Sequence, residues 1–150
     1  MSESTTQIYE TFIRTTPEKL WRALIDPEFT KQYFFGTLVA TSGKPGEAIV
    51  YRFPDGSPCV DGEILAAEPP YKLVHTWIVR YDAELAKECS TITWLIEPRG
   101  AVCKLTAVHE MRDAPKTAKH VASEGWSVVL SGLKTLLETG EALVIAPKAG

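Results

Sequence analysis

The stretch GWSVVLSGLKTLLETG, Gly125 to Gly140, decides the fold. Trp126, Val129, Leu130, Leu133, Leu136 and Leu137 recur at helical spacing and gather into one broad apolar arc. Ser127, Ser131, Lys134, Thr135 and Glu138 fill the rest of the wheel. The spacing predicts a long helix from about Ser123 to Thr139, with Gly140 as its C-terminal cap. Gly125 and Gly132 fall inside the apolar arc rather than on the wet side. A glycine inside a helix costs about 1 kcal/mol against alanine, so something must compensate. One explanation is close packing of the helix backbone on another element. The other is room for a ligand between helix and sheet. Both can hold at different ends of one helix.

Working outward from this helix, the preceding chain is rich in short strands. TLVATS and EAIVYRF are separated by the turn GKPG, and FPDGSP places Asp55-Gly56 at a second turn. VDGEILAAE runs to Pro69-Pro70, which stops it. YKLVHTWIV follows, then a polar connection, RYDAELAKE. STITWLIE and AVCKLTAVHE are joined by PRG. Six consecutive strands linked by turns imply an antiparallel meander. Arg112 to Ala122 reads as a loop with a helical turn.

Upstream, IYETFIR alternates as a strand from Ile8 to Arg14. Thr16 then caps a helix with Pro17 at its first position, and Leu20, Trp21, Leu24 and Ile25 form its apolar face. Asp26-Pro27 repeats the signal for a second, shorter helix. Phe29, Tyr33 and Phe34 are its stripe, and Gly36 ends it. The order β-α-α-β6-α, with helices at the ends of a strand block, is that of an α+β fold. A curved antiparallel sheet wrapped around the C-terminal helix satisfies it. The expectation is one domain over residues 1–150, with its core at about 8–140 and a short tail at 141–150.

Composition narrows the function classes. Hydrophobic residues make up 45% of the 150, enough for a sizeable core, and the net charge is -3. No basic run with interleaved aromatics is present, which argues against nucleic acid. No apolar stretch is long enough to span a bilayer, and the polar opening MSESTTQ shows no signal-peptide core. Cys59, Cys89 and Cys103 have no CxxC spacing and read as reduced thiols of a cytoplasmic protein.

The strand faces locate candidate site residues. Leu73, His75, Trp77 and Val79 share one face of their strand. Cys103, Leu105, Ala107 and His109 share another, and so do Ile92, Trp94 and Ile96. Turning these sets inward places His75 and His109 on the concave side with Tyr51, Trp77 and Trp94. An apolar cavity with a few polar groups is the usual make-up of a small-molecule pocket. The expected ligand-contacting set is Phe34, Tyr51, His75, Trp77, Trp94, His109, Trp126 and Val129. Each histidine reads either as a satisfied core or rim residue or as a ligand-orienting or acid/base group. Two histidines without a third ligand make a poor zinc site, and no cofactor motif is present. There is no GxSxG elbow, phosphate-binding glycine loop or HExxH, so no catalytic residue is assigned. Asp61 and Glu63, two apart on a strand, read as solvated.

Taken together, IYETFIRTTPEKLWRALIDPEFTKQYFFG, GEILAAEPPYKLVHTW, STITWLIEPRG with KLTAVHE, and GWSVVLSGLKTLLETG resemble the activator-of-heat-shock-protein-90-ATPase homology family. That family lies within the START-like (SRPBCC) superfamily. The resemblance covers about residues 8 to 140. It implies a helix-grip, Bet v-like fold with a hydrophobic cavity between sheet and helix, a cavity that in the superfamily takes lipids, sterols, polyketides or other apolar molecules. Some members are cyclases or hydrolases, so an enzyme using cavity His, Glu or Tyr stands as an alternative, as does a protein-interaction module. The eukaryotic co-chaperones of the family carry a separate N-terminal domain for which this chain has no room, which weighs against a chaperone link. Homodimerisation is left open.

Overall fold

The computed structural model describes residues 4–122 and 125–146. Strand β1 (Ser4–Ile13) leads into helices α1 (Pro17–Ile25) and α2 (Pro27–Tyr33). Six strands follow: β2 (Leu38–Thr41), β3 (Ala48–Arg52), β4 (Pro58–Glu68), β5 (Lys72–Val79), β6 (Ser90–Arg99) and β7 (Val102–Arg112). Helices α3 (Pro115–Ala122) and α4 (Gly125–Thr139) close the described chain. The seven strands form one antiparallel sheet in the order β1-β7-β6-β5-β4-β3-β2. The fold is α+β and helix-grip: the sheet curls round α4, which packs on β1, α2 and α3.

Local chemistry sets these elements. The Thr16 hydroxyl accepts from the Lys19 backbone N–H at 3.2 Å with Pro17 behind it. Asp26 Oδ1 accepts from Glu28 N–H at 2.9 Å and starts α2 in the same way. Consecutive strands β2 to β7 are hairpin neighbours, so their order is a plain meander. β1 and β2 lie at opposite edges of the sheet, and α1 and α2 carry the chain between them. Gly100, at φ 65, opens the two-residue turn between β6 and β7. Leu73, Ile92, Leu105 and Ile64 have no exposed surface and form the sheet side of the core.

Three expectations need correction. The segment Arg112 to Ala122 is not a loop with one helical turn. β7 extends to Arg112, Asp113 turns the chain at φ 55, and α3 is eight residues long. Its signal was the pair Thr117 and Val121, one turn apart and both buried, but with only two such positions. Second, α2 ends before Gly36: its cap is Phe34, and Phe35 already has φ 52. Third, Asp61 is ion-paired rather than merely solvated, with Arg80 Nη2 at 2.9 Å from its Oδ1. The predicted helix start at Ser123 lies outside the described residues.

The two glycines of α4 separate. A Cβ on Gly132 would sit 3.3 Å from Tyr33 Cβ, so this glycine brings α4 onto α2. A Cβ on Gly125 would meet nothing within 4 Å. Packing explains the glycine in the middle of the helix and open space the one at its start. A third glycine, Gly62, lies within β4. A Cβ there would be 1.9 Å from the Thr76 carbonyl oxygen on β5. The missing side chain admits Thr76, whose hydroxyl accepts from Glu63 N–H at 2.8 Å.

Candidate functional site

Gly125 opens onto a cavity of about 360 Å³ between the end of α4 and the β3–β5 part of the sheet. Its sheet wall is Cys59 and Val60 of β4 with Trp77 and Val79 of β5. Trp126 and Val129 of α4 face them, with Val121 and His120 of α3 alongside. Phe34 and Phe35 after α2, Phe53 after β3 and Tyr81 after β5 form the mouth. Alternation along β5 explains the sheet wall, because residues 73, 75, 77 and 79 all point inward. Tyr81 continues the same odd-numbered series past the strand end.

Four of the eight expected residues line this cavity: Phe34, Trp77, Trp126 and Val129. Tyr51, His75, Trp94 and His109 do not line it; they are packed in the core behind it. Phe34 stacks on Tyr51 with ring centroids 4.7 Å apart, so the cavity wall rests on the buried layer. Trp77 and Trp126 lie 5.2 Å apart by centroid.

The two histidines are held by tryptophans. Trp94 Nε1–H donates to His75 Nε2 at 3.1 Å, and the other ring nitrogen meets the Thr76 carbonyl at 2.9 Å. An indole nitrogen only donates, so His75 Nε2 is bare and Nδ1–H donates to that carbonyl. Trp126 Nε1–H likewise donates to His109 Nδ1 at 3.0 Å. His109 Nε2–H then donates to Ser90 Oγ at 2.7 Å, and the Ser90 hydroxyl donates to the Trp77 carbonyl at 3.3 Å. This chain ties α4 to β5, β6 and β7. Burial lowers His75 to a pKa of about 4. Burial, then repulsion from His75, lowers His109 to about 4 as well. Both rings are therefore neutral near pH 7, with both nitrogens engaged.

Near the cavity, burial pushes the Cys59 thiol up to about 11, so it stays a thiol at neutral pH. The Trp77 indole nitrogen is buried without an acceptor among the described residues, sealed by the neighbouring rings of Trp126, His109 and Phe34. The polar side-chain groups at the mouth are Tyr81 and His120, whose Oη and Nε2 are 2.5 Å apart. Sequence reasoning named neither. Tyr81 was legible from the parity of β5, whereas His120 lay in the segment read as a loop.

A seven-stranded sheet gripping a long helix over an apolar cavity defines a START-like, helix-grip domain. The family model for activator of Hsp90 ATPase homolog 1-like proteins matches residues 14–138, and the chain belongs to that family. Solved structures agree on the fold. Protein MLL2253 from Mesorhizobium loti is 27% identical with a TM-score of 0.73, over 89% of this chain and 96% of that one. The Aha1 dimer from Colwellia psychrerythraea is 19% identical with a TM-score of 0.73, over 92% and 99%. DynU16, from the dynemicin biosynthetic locus, is 20% identical with a TM-score of 0.75, over 91% of this chain and 48% of that one. No curated protein matches the sequence. No helix among the described residues is long and apolar enough to cross a membrane.

Proposed function

We propose that this protein binds a small apolar molecule in the cavity between α4 and the sheet, acting as a single cytoplasmic domain. The observation that carries this reading is the cavity of about 360 Å³ with an aromatic and aliphatic wall, opened by Gly125. A space of that size lined by Trp77, Trp126, Val79 and Val129 suits a flat or branched hydrocarbon skeleton. His109 serves this site indirectly, by fixing Trp126 and, through Ser90, the Trp77 carbonyl, while His75 holds Trp94 and the Thr76 carbonyl. With both rings neutral and bonded on both nitrogens, binding is favoured over acid/base chemistry by these histidines.

The test is a titration with naphthalene read by tryptophan fluorescence, since Trp77 and Trp126 form the walls. Saturable quenching is expected, at least tenfold weaker in Gly125→Leu, which puts a side chain into the open space. The absence of a saturable change in the native protein refutes the reading. Native mass spectrometry of the purified protein, before and after denaturation, would then identify the natural occupant.

A protein-interaction role has a narrower basis. The convex face of the sheet exposes Ile8, Phe12 and Leu95. The Lys104–Glu10 ion pair at 2.8 Å and Arg99 over the Phe12 ring interrupt that surface, which disfavours a continuous apolar contact. Sedimentation velocity at rising concentration tests for self-association.

A further inference from the structure

The cavity has polar side-chain chemistry at one place, its mouth, and that place is built rather than incidental. Tyr81 leaves the end of β5, and His120 lies in the last turn of α3. Their hydrogen bond, 2.5 Å from Oη to Nε2, crosses between elements 39 residues apart. The Tyr81 ring also packs on Phe53 and on the His120 ring, with centroids 6.1 and 5.8 Å away.

Both ends of the pair are anchored. Glu88 Oε1 accepts from Thr117 N–H at 2.7 Å and from the Thr117 hydroxyl at 2.8 Å, while its Oε2 accepts from Lys116 N–H at 3.3 Å. A carboxylate from the strand connection thus caps the first turn of α3. Lys116 Nζ reaches Glu84 at 3.2 Å. Asp82 Oδ1 accepts from Glu84 and Leu85 N–H at 2.9 and 3.1 Å, which fixes the chain just after Tyr81. His120 is therefore held opposite Tyr81 from both sides.

We infer that the Tyr81–His120 pair is a polar subsite that accepts a hydrogen bond from a hydroxyl group on an otherwise apolar, uncharged ligand. The inference rests on the cavity reading above and names the ligand class it takes. A phenol is the stronger donor and an imidazole nitrogen the stronger acceptor, so the shared proton belongs to Tyr81 and points at His120. The Tyr81 oxygen keeps its lone pairs, and donating to the imidazole makes it a better acceptor. A ligand hydroxyl satisfies it. Burial, with Cys59 and Asp82 adding to it, raises Tyr81, so the phenol stays uncharged. The Asp82 carboxylate, which adds to the rise of Tyr81, disfavours an anionic head, whereas Glu84 is paired with Lys87 and Lys116. Because the side chains deeper in the cavity are apolar, the ligand enters skeleton first and leaves its hydroxyl at the mouth.

The test compares naphthalene, 2-naphthol and 2-naphthoate near neutral pH, by tryptophan fluorescence and calorimetry, on the native protein and on Tyr81→Phe/His120→Leu. One hydrogen bond to a ligand hydroxyl is worth about three- to tenfold in affinity. The ratio of the naphthalene to the 2-naphthol dissociation constant should fall by about that factor in Tyr81→Phe/His120→Leu, which removes the phenol oxygen and also the imidazole nitrogen that Tyr81→Phe alone would free as an acceptor. Naphthalene carries no hydroxyl and serves as the reference: saturable quenching by it in the variant, at whatever strength, reports that the variant cavity is still open. 2-Naphthoate should bind more weakly than 2-naphthol. An unchanged ratio in Tyr81→Phe/His120→Leu, or a preference for 2-naphthoate, overturns the subsite while leaving the cavity reading standing. Failure of all three probes on the native protein overturns the cavity reading and the subsite with it.

Discussion

Acidification should unfold this protein through its two buried histidines. In the unfolded chain each imidazole titrates near 6.5, and in the folded protein each is lowered to about 4. A lowered histidine favours the neutral form. Its contribution is fully present above pH 6.5 and is lost as pH falls through 6.5 towards 4. The drop is worth about 3 kcal/mol per ring, or about 6 kcal/mol for both. That is comparable to the whole stability of an ordinary domain, about 5–15 kcal/mol. Between these limits the unfolded chain binds up to two more protons, so stability falls by up to about 2.7 kcal/mol per pH unit. The carboxylates held below their ordinary values, Asp26 and Glu138 among them, act lower, as pH falls below about 4.5. The assay is urea unfolding by circular dichroism at half-unit pH steps, on the native protein, His75→Gln and His109→Gln. Each variant should be less stable near pH 7, because an amide cannot keep both ring contacts. Each should also lose about half of the pH slope. A stability that stays flat from pH 6.5 to 4.5, or variants that keep the full slope, would refute the reasoning.

Other substitutions test single contacts. Gly62→Ala places a methyl group 1.9 Å from the Thr76 carbonyl and must part β4 from β5. Several kcal/mol of destabilisation and a large fall in melting temperature are expected, and a melting temperature within a few degrees of native contradicts the close approach. Gly132→Leu should separate α4 from Tyr33 and destabilise by about 1–3 kcal/mol through overpacking, measured by urea unfolding. Glu88→Ala removes the carboxylate that caps α3. It should cost about 1 kcal/mol and speed amide exchange across residues 115–122, and unaltered exchange there would show that α3 is held by other contacts.

The sequence by itself determined the secondary structure wherever periodicity and punctuation agreed. Thr16-Pro17 and Asp26-Pro27 mark helix starts because proline fits the first helical turn and the preceding side chain satisfies a free N–H. Alternation assigned the inward faces of β5, β6 and β7 correctly, since neighbouring side chains on a strand must point to opposite sides. Facing inward did not mean facing the cavity. His75, Trp94 and His109 share a face with Trp77, yet only Trp77 reaches open space, because α4 crosses the sheet and fills one part of its concavity. Where that helix lies depends on Gly132 meeting Tyr33, a contact between residues 99 positions apart whose distance no local pattern encodes. The mouth depends on the same kind of fact. Tyr81 and His120 meet because Glu88 caps a helix nearly thirty residues downstream. Periodicity fixed each element and its buried face, while the docking of α3 and α4 on the sheet decided which buried side chains became core and which became a site.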